Sequence, residues 1–234
     1  MCLLCWSMQT GNCLLTITHH AHPVTAAGWA PDGQSFVTSS LDSKSSLCHW
    51  SMRGSSLHTW KDGFRTQDCA ISPDGRRIVA ADTAAKIHVF DFNTHEKEYS
   101  LALQSKATSV TISQDSKHML VNLADGEIQL IDMDTTAVVR RFRGHQQGNF
   151  VIRSVFGGAA ENFVVSGSEG NSFLAYKKPF SCDDRKLTIT FRFQDLCLAQ
   201  GERDTGRNAR SSHQGMCKLN IMEPCEPWHV CVCR

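Results

Sequence analysis

The sequence predicts an all-β protein of about four four-stranded antiparallel sheets, followed by an irregular C-terminal tail. Pro31-Asp32-Gly33 and Pro73-Asp74-Gly75 lie 42 residues apart, and the related Gln114-Asp115-Ser116 follows 41 residues later. A second marker recurs in step, as an apolar or aromatic residue that closes a short alternating segment at Trp6, Trp50, Phe90, Ile131 and Tyr176. Apolar residues do not recur at the spacing i, i+3, i+4 and i+7, which argues against a helical repeat.

Each repeat contains segments for four strands. The first is a nearly continuous run of apolar or small residues, which predicts an inner strand buried on both faces, at Val24–Ala30, Gln67–Ser72, Ala107–Ser113 and Phe150–Phe156. An Asp-Gly turn follows, and two residues with positive φ are expected in it. The second strands are expected at Ser35–Ser40, Arg77–Ala81, His118–Leu123 and Asn162–Gly167.

The third segment alternates apolar and polar residues, as in Lys86–Asp91 and Glu127–Asp132, which predicts one buried and one solvated face. The fourth strand is expected to be exposed at the outer edge. Four short strands in a unit of 40 to 45 residues are typical of one blade of a β-propeller.

These markers resemble the WD-repeat superfamily, whose units run from a Gly-His to a Trp-Asp. Gly144-His145 matches the opening, and the closing pair is represented by Trp6-Ser7, Trp50-Ser51, Phe90-Asp91 and Ile131-Asp132. The resemblance implies an incomplete WD-repeat β-propeller in which a His, a Ser or Thr, a turn Asp and the Trp form a hydrogen-bonded cluster. The residues at these positions are His20, Asp42, Trp50, Asp82, Asp125 and His145.

A closer resemblance covers roughly residues 1 to 169. The segment 140–169, RRFRGHQQGNFVIRSVFGGAAENFVVSGSE, is similar to the WD-repeat protein 26 family, the propeller subunit of the GID/CTLH ubiquitin ligase. The resemblance implies a non-catalytic scaffold or substrate-recruiting subunit of such a ligase, which supports proteasome-dependent degradation. Its expected partners are other ligase subunits and substrate proteins. The alternative is a generic WD-repeat adaptor in signalling or chromatin complexes, and a propeller hydrolase is a third class.

The repeat markers predict two regions, a partial propeller at 1–178 and an irregular Cys-rich tail at 179–234. Members of the resembled family begin with LisH and CTLH helical segments and continue with further blades, so the chain is expected to be truncated at both ends. Because the LisH and CTLH segments mediate dimerisation in the resembled family, homo-oligomerisation is not expected for a chain that lacks them. Missing blades would expose apolar surface, and a marginal or partner-dependent fold is expected. The loss of period after Glu169 suggests a truncated isoform or an imperfect gene model.

Composition excludes several classes of partner. The 234 residues carry a net charge of +1, which gives no field for general binding of nucleic acid or of an anionic membrane. The apolar runs are far shorter than the roughly 20 residues that span a bilayer, and Met1–Trp6 lacks the basic flank of a signal peptide. A cytosolic or nuclear protein with reduced cysteines is therefore expected.

Neither a metal, a cofactor nor a catalytic centre is predicted. His19-His20-Ala21-His22 could hold zinc, but a structural role for His20 is the better interpretation. The tail supplies soft ligands at spacings that match no zinc module, at His213, Cys217, Cys225, His229, Cys231 and Cys233. No nucleophile elbow or phosphate-binding loop is found, so an enzyme is not expected.

The expected function is protein binding through loops at the rim of the propeller. The preferred contact residues are Phe64, Arg65, Gln147 and Phe150, because aromatic and Arg side chains often dominate interface energy. Each could equally fill space between blades. The basic residues Arg140, Arg141, Arg143 and Arg153 suggest an acidic partner or a solvated edge, and Arg140 and Arg141 are expected on opposite faces of a strand.

Overall fold

The computed structural model describes residues 2–148, 150–169, 172–177 and 188–192, and it confirms the all-β architecture. Two strands at the start form a two-stranded sheet, β1 Leu3–Trp6 and β2 Cys13–Ile17. Four four-stranded sheets follow, each an antiparallel meander in chain order, which we call blades I to IV. The described residues therefore form an incomplete propeller.

The strand bounds repeat from blade to blade. Blade I consists of β3 Val24–Trp29, β4 Ser35–Ser40, β5 Leu47–Ser51 and β6 Ser56–Trp60. Blade II consists of β7 Thr66–Ile71, β8 Arg77–Asp82, β9 Lys86–Asp91 and β10 Lys97–Ala102. Blade III consists of β11 Ala107–Ile112, β12 His118–Leu123, β13 Glu127–Asp132 and β14 Val138–Arg143. Blade IV consists of β15 Ser154–Gly157, β16 Phe163–Ser166, β17 Ser172–Lys177 and β18 Thr188–Arg192, with a 3-10 helix at Ala159–Glu161.

The Asp-Gly turns differ from the prediction, because only one residue of each has positive φ. In the first turn Gly33 has φ 67° and its N–H donates to the carbonyl of Ala30, while Asp32 does not adopt positive φ. Pro31 fixes φ near −65° at the second position, so the turn begins in the type I conformation and the left-handed residue comes last. Gly75 and Ser116 take the same place in the next two blades, with φ 70° and 57°.

Apolar clusters hold neighbouring sheets together face to face. Blades I and II share a cluster that includes Leu47 and Trp60 on one side and Ile78 and Phe90 on the other. The equivalent seam between blades II and III contains Val79, Ile87, Met119, Val121 and Ile131. Similar clusters join the β1–β2 sheet to blade I and blade III to blade IV. The core is thus a series of seams between blades.

The burial of the strands follows from this stacking. It differs from the prediction for the third strands, expected to be buried on one face, and for the first strands, expected to be buried on both. Strands β4, β8, β9, β12 and β13 are buried on both faces along most of their length, although β9 and β13 alternate in sequence. A neighbouring sheet packs against each of their faces, so alternate side chains are covered as well. The first strands are edge strands and are less buried than expected; Trp29 on β3 is 53% exposed. The outer strands β6, β10 and β14 are largely exposed, as predicted.

The fourth blade extends past the predicted end of the repeat region. Strand β18 pairs with β17, from Ser172 with Arg192 to Tyr176 with Thr188. The predicted boundary after residue 178 therefore falls inside this blade, and the expected inner strand at Phe150–Phe156 is shortened to Ser154–Gly157. The remainder of the predicted tail, 179–187 and 193–234, lies outside the described residues. Within the part of the chain that is described, no helix is long and apolar enough to cross a membrane.

Candidate protein-binding face

One end of the blades carries the loops in which the binding residues were predicted. Because each sheet is an antiparallel meander, the loop before the first strand and the turn after the second strand meet at the same end, which we call the upper face. A backbone hydrogen bond joins the two in every blade, from Leu41 to Pro23, Thr83 to Arg65, Ala124 to Lys106 and Glu169 to Gln146. The repeated bond fixes these loops to the scaffold.

Blade I contains a hydrogen-bonded cluster beneath this face. Thr38 Oγ1 lies 2.7 Å from His20 Nε2 and accepts a hydrogen bond of 2.9 Å from Trp50 Nε1. Asp42 accepts from the Lys44 N–H and the Ser45 hydroxyl in the adjacent turn, and the first of these bonds is the main reason that its pKa is lowered. Burial, reinforced by His19, lowers the pKa of His20. The structure thus joins His20 to Trp50 through Thr38. The sequence analysis expected a Ser or Thr in this cluster but did not identify which residue it is.

Blade II replaces this polar cluster by aromatic packing. Phe64 stacks with Phe90 at 6.1 Å, which is close to the 6.4 Å between His20 and Trp50 in blade I. Phe64 also packs on His88 at 4.5 Å and is only 8% exposed. Of the two roles considered for Phe64, the structure favours packing, because the ring belongs to the apolar cluster between blades I and II.

Asp82 lies under the surface of the same blade. Its Oδ1 accepts from the Ala84 N–H at 3.1 Å, and its Oδ2 is 3.5 Å from His88 Nε2. His88 Nδ1 is 2.8 Å from the hydroxyl of Ser100. Burial, with a further contribution from Lys97, lowers the pKa of His88. Asp82 is thus a buried residue that binds the backbone N–H of the turn with one carboxylate oxygen and places the other beside His88.

No hydrogen bond or ion pair joins His145 to Asp125 within the described residues, although the Asp125 carboxylate acts on the histidine electrostatically. His145 is buried, and both of its ring nitrogens lack a hydrogen-bond partner among the described residues. Burial lowers the pKa of His145, while the Asp125 carboxylate acts in the opposite direction. Asp125 itself is exposed and accepts from the Glu127 N–H at 3.2 Å.

A buried carboxylate joins three blades near the upper ends of the inner strands. Asp68 on β7 is 1% exposed; its Oδ2 accepts from the Val110 N–H on β11 at 3.0 Å. Its Oδ1 accepts from the Arg153 guanidinium, just before β15, at 3.1 Å. Burial raises the pKa of Asp68, and the two bonds act against that rise. Asp68 therefore ties the first strands of blades II and III to the segment that enters blade IV.

Three of the four predicted basic residues pair with two buried carboxylates, Arg153 with Asp68 and the other two with Glu127. Arg141 Nη1 lies 2.7 Å from Glu127 Oε1, and Arg143 Nε lies 2.6 Å from Glu127 Oε2. Glu127 is 3% exposed, and its bonds to Gln129, Arg143 and Arg141 lower its pKa against the effect of burial. Arg141 and Arg143 are two residues apart on β14 and therefore share a face, where they neutralise a buried acid.

Arg65, Gln147 and Phe150 remain at the surface of the upper face. Arg65 is exposed and has no side-chain partner among the described residues. Phe150 is 74% exposed, and the Gln147 side-chain amide donates to its carbonyl at 2.7 Å. Glu169 Oε1 accepts from the N–H groups of Gly148 and Phe150, both at 2.8 Å. Since a Cβ at Gly148 would lie 2.2 Å from Glu169 Oε2, this loop is closely fitted to the acid.

Two clefts lie at opposite ends of the blades. The upper cleft, of about 350 Å³, is lined by Asp62–Arg65, Asp82–Ala84, Lys86, His88 and Lys97. The lower cleft, of about 580 Å³ between blades II and III, is lined by Asp74, Arg76, Arg77, Asp91, Asn93, Glu98, Asp115–Lys117 and Asp134. In the lower cleft Arg77 is held by Glu98 at 2.9 Å and by Asp134 at 2.8 Å, which leaves carboxylates in excess.

Within the described ranges, no three His, Cys, Asp or Glu side chains are arranged to hold a metal ion, and His19 and His22 do not join His20 in such a group. The tail residues considered for zinc lie outside the described residues. Burial raises the pKa of the Cys48 thiol to about 11 and that of Cys69 to about 12, so neither is a thiolate nucleophile at neutral pH.

Comparison with known proteins gives the same fold family. The family described as "WD domain, G-beta repeat" matches residues 11–50. The chain is 36% identical over 186 residues to "GID complex subunit 7" of Schizosaccharomyces pombe, covering 76% of this chain and 35% of that protein. It is 34% identical over 177 residues to the "WD repeat-containing protein 26 homolog" of Arabidopsis thaliana, covering 74% and 29%. For the homolog of that name in Drosophila melanogaster the identity is 28% over 169 residues, covering 71% and 26%.

The chain spans about a third or less of the length of these relatives. Its four meander sheets, the His20–Thr38–Trp50 cluster and the matched repeat all agree with these comparisons. The chain therefore belongs to the WD-repeat family, and within that family it is similar to the WD-repeat protein 26 and GID subunit 7 proteins.

Proposed function

We propose that the chain is a non-catalytic scaffold or substrate-recruiting subunit of a GID-type E3 ubiquitin ligase and thereby supports proteasome-dependent degradation. The observation that carries this proposal is the 36% identity to a protein named as a subunit of the GID complex, over 76% of the chain. The transfer of ubiquitin would belong to other subunits, and this chain would raise the local concentration of a substrate. Its expected site of action is the cytoplasm or the nucleus.

The upper face supports a role in binding. Its loops are held by a backbone bond in each blade, and Glu169 fixes the loop that presents Phe150. A rigid scaffold that presents exposed aromatic and basic side chains is a common arrangement for protein recognition. The proposed contact residues are Arg65, Gln147 and Phe150.

Affinity purification from Schizosaccharomyces pombe tests the proposal. The tagged chain would be expressed with the proteasome inhibited, cross-linked in cells and purified, and its partners would be identified by mass spectrometry. Enrichment of GID complex subunits or of ubiquitin-modified proteins, relative to the tag alone, is the expected result. Enrichment of neither, from a chain that circular dichroism shows to be folded, would contradict the proposal. Capture of signalling or chromatin complexes instead would favour the generic adaptor.

A further inference from the structure

The upper cleft of blade II is built from two short segments that the backbone holds in place. One wall is the loop 61–65 between β6 and β7, and the other is the turn 82–86 between β8 and β9. The Thr83 N–H donates to the Arg65 carbonyl at 3.0 Å, and Asp82 pairs with Thr66 across the strands. Phe64 packs beneath the cleft against His88. The walls are therefore fixed by main-chain bonds and by a buried ring.

The acids of this cleft are already engaged by the protein. Asp62 Oδ2 is 3.2 Å from Lys97 Nζ, and that ammonium also lies 5.8 Å from the centre of the Phe64 ring. Asp82 is buried, with one oxygen on the Ala84 N–H and the other close to His88. Neither carboxylate is left to neutralise the two remaining cations of the cleft.

Arg65 and Lys86 are those cations. Both side chains are exposed, both line the cleft, and neither has a side-chain hydrogen bond or ion pair within the described residues. In the lower cleft, by contrast, five carboxylates outnumber the three cations Arg76, Arg77 and Lys117, and Arg77 is paired with Glu98 and Asp134. The upper cleft has three cations and two carboxylates, so its net charge is positive.

We infer that this cleft is a docking site for an acidic segment of a partner protein, in which Arg65 and Lys86 bind a carboxylate side chain. The inference rests on the proposed function of recruiting proteins and names the chemistry of what is recruited. Arg can bind a carboxylate through two parallel N–H bonds, and Lys adds a point charge beside it. The Phe64 ring, with Lys97 Nζ 5.8 Å from its centre, gives the cleft an aromatic base.

Fluorescence anisotropy with a labelled hexaglutamate peptide tests the inference on the full chain at low salt. Arg65→Glu with Lys86→Glu is expected to weaken binding by about tenfold or more, since two attractive charges become repulsive. The matched control, Arg53→Glu with Lys117→Glu, changes the net charge equally at exposed positions outside the cleft and is expected to bind like the unmodified chain. A second control, Lys44→Glu with Lys106→Glu, alters the upper face outside the cleft.

Three outcomes would overturn the inference. One is absence of hexaglutamate binding to the unmodified chain, and another is an equal loss of affinity in all three double variants, which would indicate diffuse attraction. Tighter binding of a single-stranded oligonucleotide than of hexaglutamate would assign the cleft to nucleic acid instead. None of these outcomes depends on whether GID subunits co-purify with the chain, so failure here is distinct from failure of the proposed function.

Carbodiimide cross-linking of the unmodified chain gives a measurement that needs no folded variant. The reagent joins a lysine amine to a carboxylate in contact with it, so the Lys97–Asp62 pair serves as an internal standard. A peptide adduct at Lys86 that exceeds those at Lys44 and Lys106 is expected. Equal adducts at the three lysines, with the internal standard formed, would contradict docking in this cleft.

Discussion

We expect three histidines at the seam between blades I and II to make the stability of the protein depend on pH. His49 lies on β5, His58 on β6 and His95 in the turn between β9 and β10. His49 Nδ1 is 3.0 Å from His95 Nε2, and the rings of His58 and His95 stack at 4.3 Å with 5° between their planes. A hydrogen bond between two imidazoles needs one donor and one acceptor, so protonation of both rings breaks it.

The direction and size of the effect follow from the pKa values. Burial, followed by the proximity of His95 and His58, lowers the pKa of His49 to about 4, and burial also lowers the pKa of His58 and His95. In the unfolded chain a histidine has a pKa of about 6.5. Between these values the unfolded state binds more protons, so the free energy of unfolding falls as the pH is lowered from about 6.5 towards 4. For His49 alone the loss amounts to at most about 3–4 kcal/mol, since a pKa difference of about 2.5 is multiplied by about 1.36 kcal/mol.

Urea unfolding followed by tryptophan fluorescence, between about pH 7 and pH 4.5, measures this loss. His49→Phe should remove most of the pH dependence in that window, because the new ring can pack on Phe92, which His49 already contacts at 4.7 Å. His22→Gln is the matched control, since His22 is exposed. A free energy of unfolding that stays constant over the window, or an unchanged slope in His49→Phe, would refute the reasoning.

Three further substitutions test other parts of the structure by urea unfolding. Thr38→Val is expected to cost about 2–3 kcal/mol, because His20 and Trp50 both lose their shared partner; a loss below about 0.5 kcal/mol would show that the cluster contributes little. His145→Phe should raise stability by about 1 kcal/mol, since two buried ring nitrogens without partners are removed; a decrease would mean that the imidazole is satisfied. Asp68→Asn should destabilise by about 2 kcal/mol at acidic pH and by less at neutral pH, because burial raises the pKa of the carboxyl group and its ionisation at neutral pH destabilises the folded form of the unmodified chain. An equal cost at both pH values would contradict this explanation.

The positions of the strands could be predicted because their signals are local. The turns at Gly33 and Gly75 and the alternating segments that end at Phe90 and Ile131 each depend on a few neighbouring residues. The positions of His20 and Trp50 in a shared cluster could be predicted by resemblance to the WD-repeat superfamily. The prediction of two residues with positive φ in the first turn was wrong. Pro31 restricts φ to about −65°, and this restriction outweighs the preference of Asp-Gly for a turn with two left-handed residues.

The surface of the candidate site was harder to predict, because exposure depends on contacts between blades. Phe64 lies in a loop, as its sequence context indicates, yet its ring packs against Phe90 on β9. Arg141 and Arg143 could have been recognised as a pair from their spacing on one strand, but their partner Glu127 follows only from the pairing of β13 with β14.

The sequence by itself determined the period of the fold, the order of the strands and the chemical type of each loop, since these depend on patterns within about 45 residues. Only the tertiary structure decided which faces are covered and which charges are free. Asp68 and Arg153 are 85 positions apart, and His49 and His95 are 46 apart, so no local pattern joins either pair. The physical reason is that the blades pack face to face. An alternating sequence predicts that only one face of a strand is buried, but a neighbouring sheet on each side buries both faces.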